Sequence, residues 1–188
     1  MEGATIISGN TVEEIWTQID ASFTDNPDLF EFNAVIKQEG HTVEFNLDID
    51  LGGGFEGGYA LTRFVSRLRK FDDFRFSLHR QDLIDGIGKF LGMQDVEIGV
   101  PGFDKDIVIK TNDEERLKDI LSSSTVLKVL QTLPDFSFHI THHHSTHTEV
   151  ESASLELRID EGITDTLKLR LIYAAFILIL DKIDPVYE

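Results

Sequence analysis

Cysteine is absent from the 188 residues, which excludes disulfide scaffolds, Cys-ligated zinc or iron-sulfur centres, and thiol nucleophiles. Basic residues are scarce: 17 Lys and Arg stand against 34 Asp and Glu, a formal charge of -17. Such a chain repels phosphate backbones and anionic lipid unless a basic patch is set apart, so nucleic acid is not an expected partner. Long apolar runs are lacking as well. The run Leu171 to Leu180, bounded by Arg170 and Asp181, falls well short of the ~20 residues that a spanning helix needs, so it reads as a buried core helix and no direct membrane insertion is expected. Met1-Glu2-Gly3-Ala4 offers neither the basic start nor the apolar stretch of a secretory signal, which points to a cytoplasmic location.

What is present is a clear alternation of periods. Val12, Ile15, Trp16, Ile19 and Phe23 share a helical face behind a Thr11/Glu14 capping pair, predicting a helix over about 11 to 23. Phe32, Ala34 and Ile36, then Val43 to Leu51, alternate on either side of Glu39-Gly40 as a hairpin. Tyr59 to Lys70 fits both periods and is read as a strand on its Thr, Phe and Val content. Phe74 to Leu78 continues the alternation, Leu83 to Leu91 switches to helical spacing, and Ile107 to Ile109 is a short strand. Asp113 caps a helix, Thr125 to Leu133 continues or restarts it, and Thr164 is the expected cap of the C-terminal helix. In that last helix Leu167, Leu171, Ala174, Ala175 and Leu178 call for nearly complete burial.

Phe136, Phe138 and Ile140 form one strand face and Ala153 to Ile159 another. A turn at Ser145 pairs His143 with Thr148, Phe138 with Ala153 and Phe136 with Leu155. Hairpins flanked by helices are the order of an α+β fold, an antiparallel sheet packed against several short helices and one long C-terminal helix. A single domain over 1–188 is expected, with residues 1–10 outside its ordered part.

Chemical motifs are few. Gly52-Gly53-Gly54-Phe55-Glu56-Gly57 satisfies a dinucleotide fingerprint literally, but Glu44, Asn46, Asp48 and Asp50 make the preceding strand polar on one face, whereas a Rossmann first strand is buried on both. Asp48-Ile49-Asp50 opens like a calcium loop and then fails at Gly52 and Tyr59. Ser122 to Ser124 lacks a nucleophile elbow and suits capping. The densest signal is His139, His142, His143, His144 and His147. In the register above His142 and His144 point one way at about 7 Å separation, Glu149 lies opposite His142, and with His147 from the turn they form a candidate site for a zinc or nickel ion. No catalytic metal pattern accompanies them, and no other cofactor is expected.

One stretch is more distinctive: Gly88-Lys89-Phe90-Leu91-Gly92-Met93-Gln94-Asp95-Val96-Glu97-Ile98-Gly99, then Phe103-Asp104-Lys105 and Ile107 to Glu114. Together with Thr62-Arg63 it resembles the signature of an uncharacterised family of bacterial and archaeal proteins, over about residues 59 to 133. The chain departs from that pattern at Val100 and at Asp106-Ile107. The resemblance implies an α+β module, in relatives often tethered to membrane helices, with no established activity and no catalytic residues to carry over. Read from the residues themselves, Asp95 and Asp104 either hold turns through backbone N–H groups or, with Lys105, line an interaction surface.

The resulting expectation is a non-enzymatic module that binds a protein partner or itself. The alternative is a small-molecule domain enclosing an apolar ligand between sheet and C-terminal helix, favoured by 14 phenylalanines. A metal-binding protein built on the His139–His147 hairpin is the third reading.

Overall fold

The structure is a computed structural model that describes residues 4–26, 29–53, 57–70, 72–80, 92–144 and 151–186. In chain order the elements are β1 (Thr5–Gly9), α1 (Val12–Asp25), β2 (Glu31–Gln38), β3 (His41–Asp50), β4 (Tyr59–Arg67), β5 (Phe76–Arg80), β6 (Gln94–Asp95), α2 (Pro101–Asp106), β7 (Ile107–Thr111), α3 (Glu114–Ile120), α4 (Ser124–Thr132), β8 (Phe136–His144), β9 (Glu151–Ile159) and α5 (Thr166–Ile183). The strands form one sheet in the order β1-β2-β3-β4-β9-β8-β5-β7-β6. The fold is α+β and mostly antiparallel, as expected. The exception is β1, which pairs parallel to β2 through the α1 crossover.

Local chemistry accounts for the boundaries. Thr11 Oγ1 accepts the Glu14 N–H at 3.2 Å, while the Glu14 carboxylate reaches back one residue further than a standard capping box, to the Asn10 N–H at 2.7 Å. Glu39 and Gly40 both have positive φ, 45° and 81°, the two-residue turn that matches strand twist between β2 and β3. Residues 125–133 restart a helix rather than continue one, because Ser123 caps α4. The cap of α5 is Asp165, not Thr164: its Oδ1 accepts the N–H groups of Leu167 and Lys168 at 2.9 and 3.2 Å. The helix expected over 83 to 91 lies outside the described residues.

Register decides where the core sits. Ala34, Phe45, Phe64, Leu157, Phe138, Leu78 and Ile109 are successive partners across seven strands, and all are buried. Aromatic rings continue this line into the helix layer: Phe45 stacks on Phe64 at 4.7 Å, Phe64 and Phe138 meet Phe176 of α5 at 6.0 and 5.9 Å, and Trp16 of α1 meets Tyr173 at 5.6 Å. Offset and edge contacts of this kind add to the area each ring buries.

Two polar clamps hold α5 in place on the sheet. At its start the buried Thr62 hydroxyl donates to the Glu161 carbonyl and accepts the Ile163 N–H, at 2.7 and 3.0 Å. At its end the buried Asp184 carboxylate accepts from Arg69 N and Nε at 2.9 and 3.0 Å. Both anchor points belong to β4 and the segment just after it.

The β8/β9 register differs from the expected one. Phe136 faces Ile159, Phe138 faces Leu157 and His142 faces Ala153, a slip of four residues along β9. The even slip keeps every apolar side chain on the core face, because alternation constrains register only to a multiple of two. The strands pair out to His144 and Glu151, and the second partner of β9, β4, is a further constraint on which of the permitted registers forms.

Candidate functional site

The outer side of α5 is where the sequence expectation and the structure part most sharply. Leu169, Ile172, Tyr173, Phe176, Ile179 and Leu180 are buried against the sheet and flanking helices. Leu167, Leu171 and Leu178, however, are exposed at 70%, 57% and 49%, and Ala174 is half-buried between them. Their spacing is 4, 3 and 4 residues, so they fall on one line along the helix, the spacing of a helix-pairing seam. The expected near-complete burial therefore fails for one face. The fold has two layers, and the outer side of the helix layer faces solvent whatever its composition.

Ion pairs flank the stripe and tie α5 to its neighbours. Arg170 bonds the Glu13 carboxylate of α1. Lys182 reaches the Asp119 carbonyl of α3 and the Ser122 hydroxyl, the latter at 2.9 Å, and Lys168 pairs with Glu161 at 3.0 Å. Asp181 accepts from the buried His41 ring at 2.8 Å. Tyr173, whose phenol is pushed up by burial and then by the Asp181 charge, donates to Gln38 at 3.0 Å.

On the opposite face of the sheet, one register step from the apolar line, runs a polar one: Glu44, Val65, Glu156, His139, Ser77, Lys110 and Asp95. Arg63 grips both oxygens of Glu156, at 2.8 and 3.2 Å. Burial works to raise the Glu156 carboxyl, but the Arg63 bonds and charge hold it below the usual carboxylate range. Burial pushes the His139 imidazole below its ordinary value, with Glu156 pulling up and Arg63 pressing down. His79 is likewise depressed by burial and by Lys110, against the pull of Asp95. Ser77, His139 and Glu156 are the residue types of a nucleophile, base and orienting acid. The geometry differs from that chemistry: both Glu156 oxygens are held by Arg63, and Ser77 is fully buried.

The histidine cluster is divided by the pleat. His142 lies on the core-face side of β8 and its Nε2 stands 3.3 Å from the Phe74 carbonyl oxygen, while His139 and His143 alternate to the other face. His144 is at the end of β8 with Glu151 as its backbone partner, and Ala153, not Glu149, stands opposite His142. His147 and Glu149 lie outside the described residues. Among the described residues no group of three or more His, Asp or Glu side chains is placed to hold a metal ion.

Asp95, Asp104 and Lys105 are not brought together as one patch. Asp104 accepts three backbone N–H groups, from Ile98, Gly99 and Val100, at 2.9, 2.9 and 2.8 Å. That nest fixes the turn in which Gly99 has φ +84° and seats the buried Phe103. Asp95 pairs with Lys110 at 3.3 Å, and Lys105 is exposed on α2. The glycine-rich segment connects β3 to the antiparallel β4, so no helix starts at Gly57 as a dinucleotide fingerprint requires. The residues that sequence reasoning missed are those of the α5 stripe. Their 4-3-4 spacing was the signal, hidden because most positions between Leu169 and Leu180 are apolar too.

Comparison with protein families finds no matching family, and no curated protein matches the chain. Among solved structures, the crystal structure of the mycobacterial trehalose monomycolate transport factor A is similar at 11% identity and a TM-score of 0.40, covering 79% of this chain and 78% of that one. At that level the likeness assigns neither a family nor an activity to this chain.

Proposed function

We propose that the domain is a non-enzymatic protein-interaction module and that the outer side of α5 is its docking face. The observation that carries this is the stripe Leu167, Leu171, Ala174 and Leu178, three exposed leucines in line on a helix clamped at both ends. Leucines scattered singly on a surface need no explanation, whereas a continuous apolar line on a rigid element is what a partner helix reads. An apolar small-molecule site between sheet and α5 is the weaker reading, since Phe45, Phe64, Phe138 and Phe176 already occupy that space in ring contact. The signature over residues 59 to 133 enters this proposal as a turn-forming scaffold, with Asp104 spent on its own loop.

The test is site-specific photo-crosslinking in the cells that make the protein. A photoreactive residue at position 171 should give one discrete adduct, lost when Leu167 and Leu178 are changed to Ser. The same residue at position 44 on the polar sheet face should give none. No adduct from 171, or equal labelling from 44, would remove the reading.

A further inference from the structure

Resting on that reading of α5, we infer that the partner is an amphipathic helix with Lys or Arg along the flanks of its apolar stripe. The geometry favours a helix as that partner. Every backbone group inside α5 is hydrogen-bonded along the helix, so an extended peptide gains no main-chain bonds there, and recognition must come from side-chain packing. The stripe from Leu167 to Leu178 covers about three turns, roughly 16 Å. A facing helix that repeats apolar residues at three and four would interdigitate with it over that length.

The charge of the partner follows from the rim. The cations beside the stripe are already matched: Lys168 with Glu161, Arg170 with Glu13, and Lys182 with Asp119, the last at 3.6 Å. Asp165 is bonded to uncharged backbone amides at the start of α5, and Asp181, with 45% of its side chain exposed, to the His41 ring, so a carboxylate stands at each end of the stripe. Glu13 and Asp119 keep two-thirds or more of their side chains exposed despite their partners, and so present anionic groups along both sides. The chain as a whole carries -17. A second copy would bring the same charge to this rim and be repelled, whereas a cationic helix is attracted over the distance at which charges steer encounter.

The experiment uses the full chain and two synthetic three-heptad helices with Leu at the core positions, one with Lys and one with Glu on the flanks. Labelled peptide is titrated with protein and read by fluorescence anisotropy. The Lys helix should bind one per chain, more weakly as salt rises, and the Glu helix should not bind. Leu171→Glu should weaken the Lys helix by about tenfold or more, with Leu178→Glu as a second variant and far-UV circular dichroism to confirm the fold. This direction is the informative one, because the variant is more negative and would bind more tightly if charge alone were responsible.

Equal or tighter binding by both variants overturns the inference. Binding of the Glu helix that Leu171→Glu abolishes leaves α5 a docking face and refutes its proposed charge preference. A wild-type dimer in sedimentation, dissolved by Leu171→Glu, makes a second copy the occupant and does the same. A monomer that binds neither helix removes both the inference and the docking face.

Discussion

Neighbouring positions 171 and 172 on α5 should behave as if they came from different proteins. Ile172 is buried and Leu171 is 57% exposed. Truncating a buried Ile to Ala forfeits its transfer free energy and leaves a cavity, about 2–5 kcal/mol in all. Leu171→Gln forfeits only the burial that the wild-type side chain has, somewhat under half of the roughly 1.5–3 kcal/mol that full burial contributes. That is about 1.3 kcal/mol at most, and Gln is nearly as good a helix former as Leu, so little is added. For a domain of this size each kcal/mol moves Tm by about 2–4 °C. Ile172→Ala should therefore lower Tm by about 4–20 °C, and Leu171→Gln by no more than about 5 °C. Thermal melts followed by circular dichroism, with urea titrations to check that the m-value is unchanged, measure both. If Leu171→Gln costs as much as Ile172→Ala, the stripe belongs to the folding core, and the reasoning that makes it a docking face fails.

Three further outcomes follow from the described contacts. Asp104→Ala should cost about 1–3 kcal/mol, since three N–H groups lose a charged acceptor, and should speed amide exchange at Ile98, Gly99 and Val100 specifically. Uniform exchange changes across the sheet would contradict that local role. Thr62→Val removes the hydroxyl joining β4 to the entrance of α5 and leaves a buried carbonyl and N–H without it. A loss of about 1–3 kcal/mol in urea unfolding is expected, and a neutral result would refute the clamp. Acidification should destabilise the fold from about pH 6.5 downward: His79 and His139 are depressed in the folded state, so below their ordinary value the unfolded chain binds protons that the folded one refuses. His139→Gln should remove up to one proton from that slope, about 1.4 kcal/mol per pH unit. A slope unchanged by the substitution would count against His139. Glu156 acts in a lower window, its pair with Arg63 stabilising above the ordinary carboxylate value near 4.5 and being lost as the pH falls further.

The strand faces were legible because alternation is a local property. Phe136, Phe138 and Ile140 had to face Ala153, Leu155, Leu157 or Ile159, and they do. The pairing itself was not legible, since slips of two or four residues satisfy the same pattern. The error carried into the metal candidate: Glu149 was placed opposite His142, where Ala153 stands. Strand β1 escaped because Thr5 to Gly9 is short, has only Ile7 buried, and is held by a parallel partner far along the chain. No local signal marks such a strand.

By itself the sequence determined fold class, the hairpin at Glu39-Gly40, the Thr11 and Asp113 caps, and which face of each hairpin strand is apolar. All of these follow from propensity and period within a dozen residues. Only the tertiary structure decided how the β8/β9 register falls, where Glu156 and His139 meet, and which leucines of α5 stay outside. Those depend on how many layers the fold has and on which strands flank a given one. In a two-layer domain a helix with apolar residues on more than one side buries one of them and presents the other to solvent.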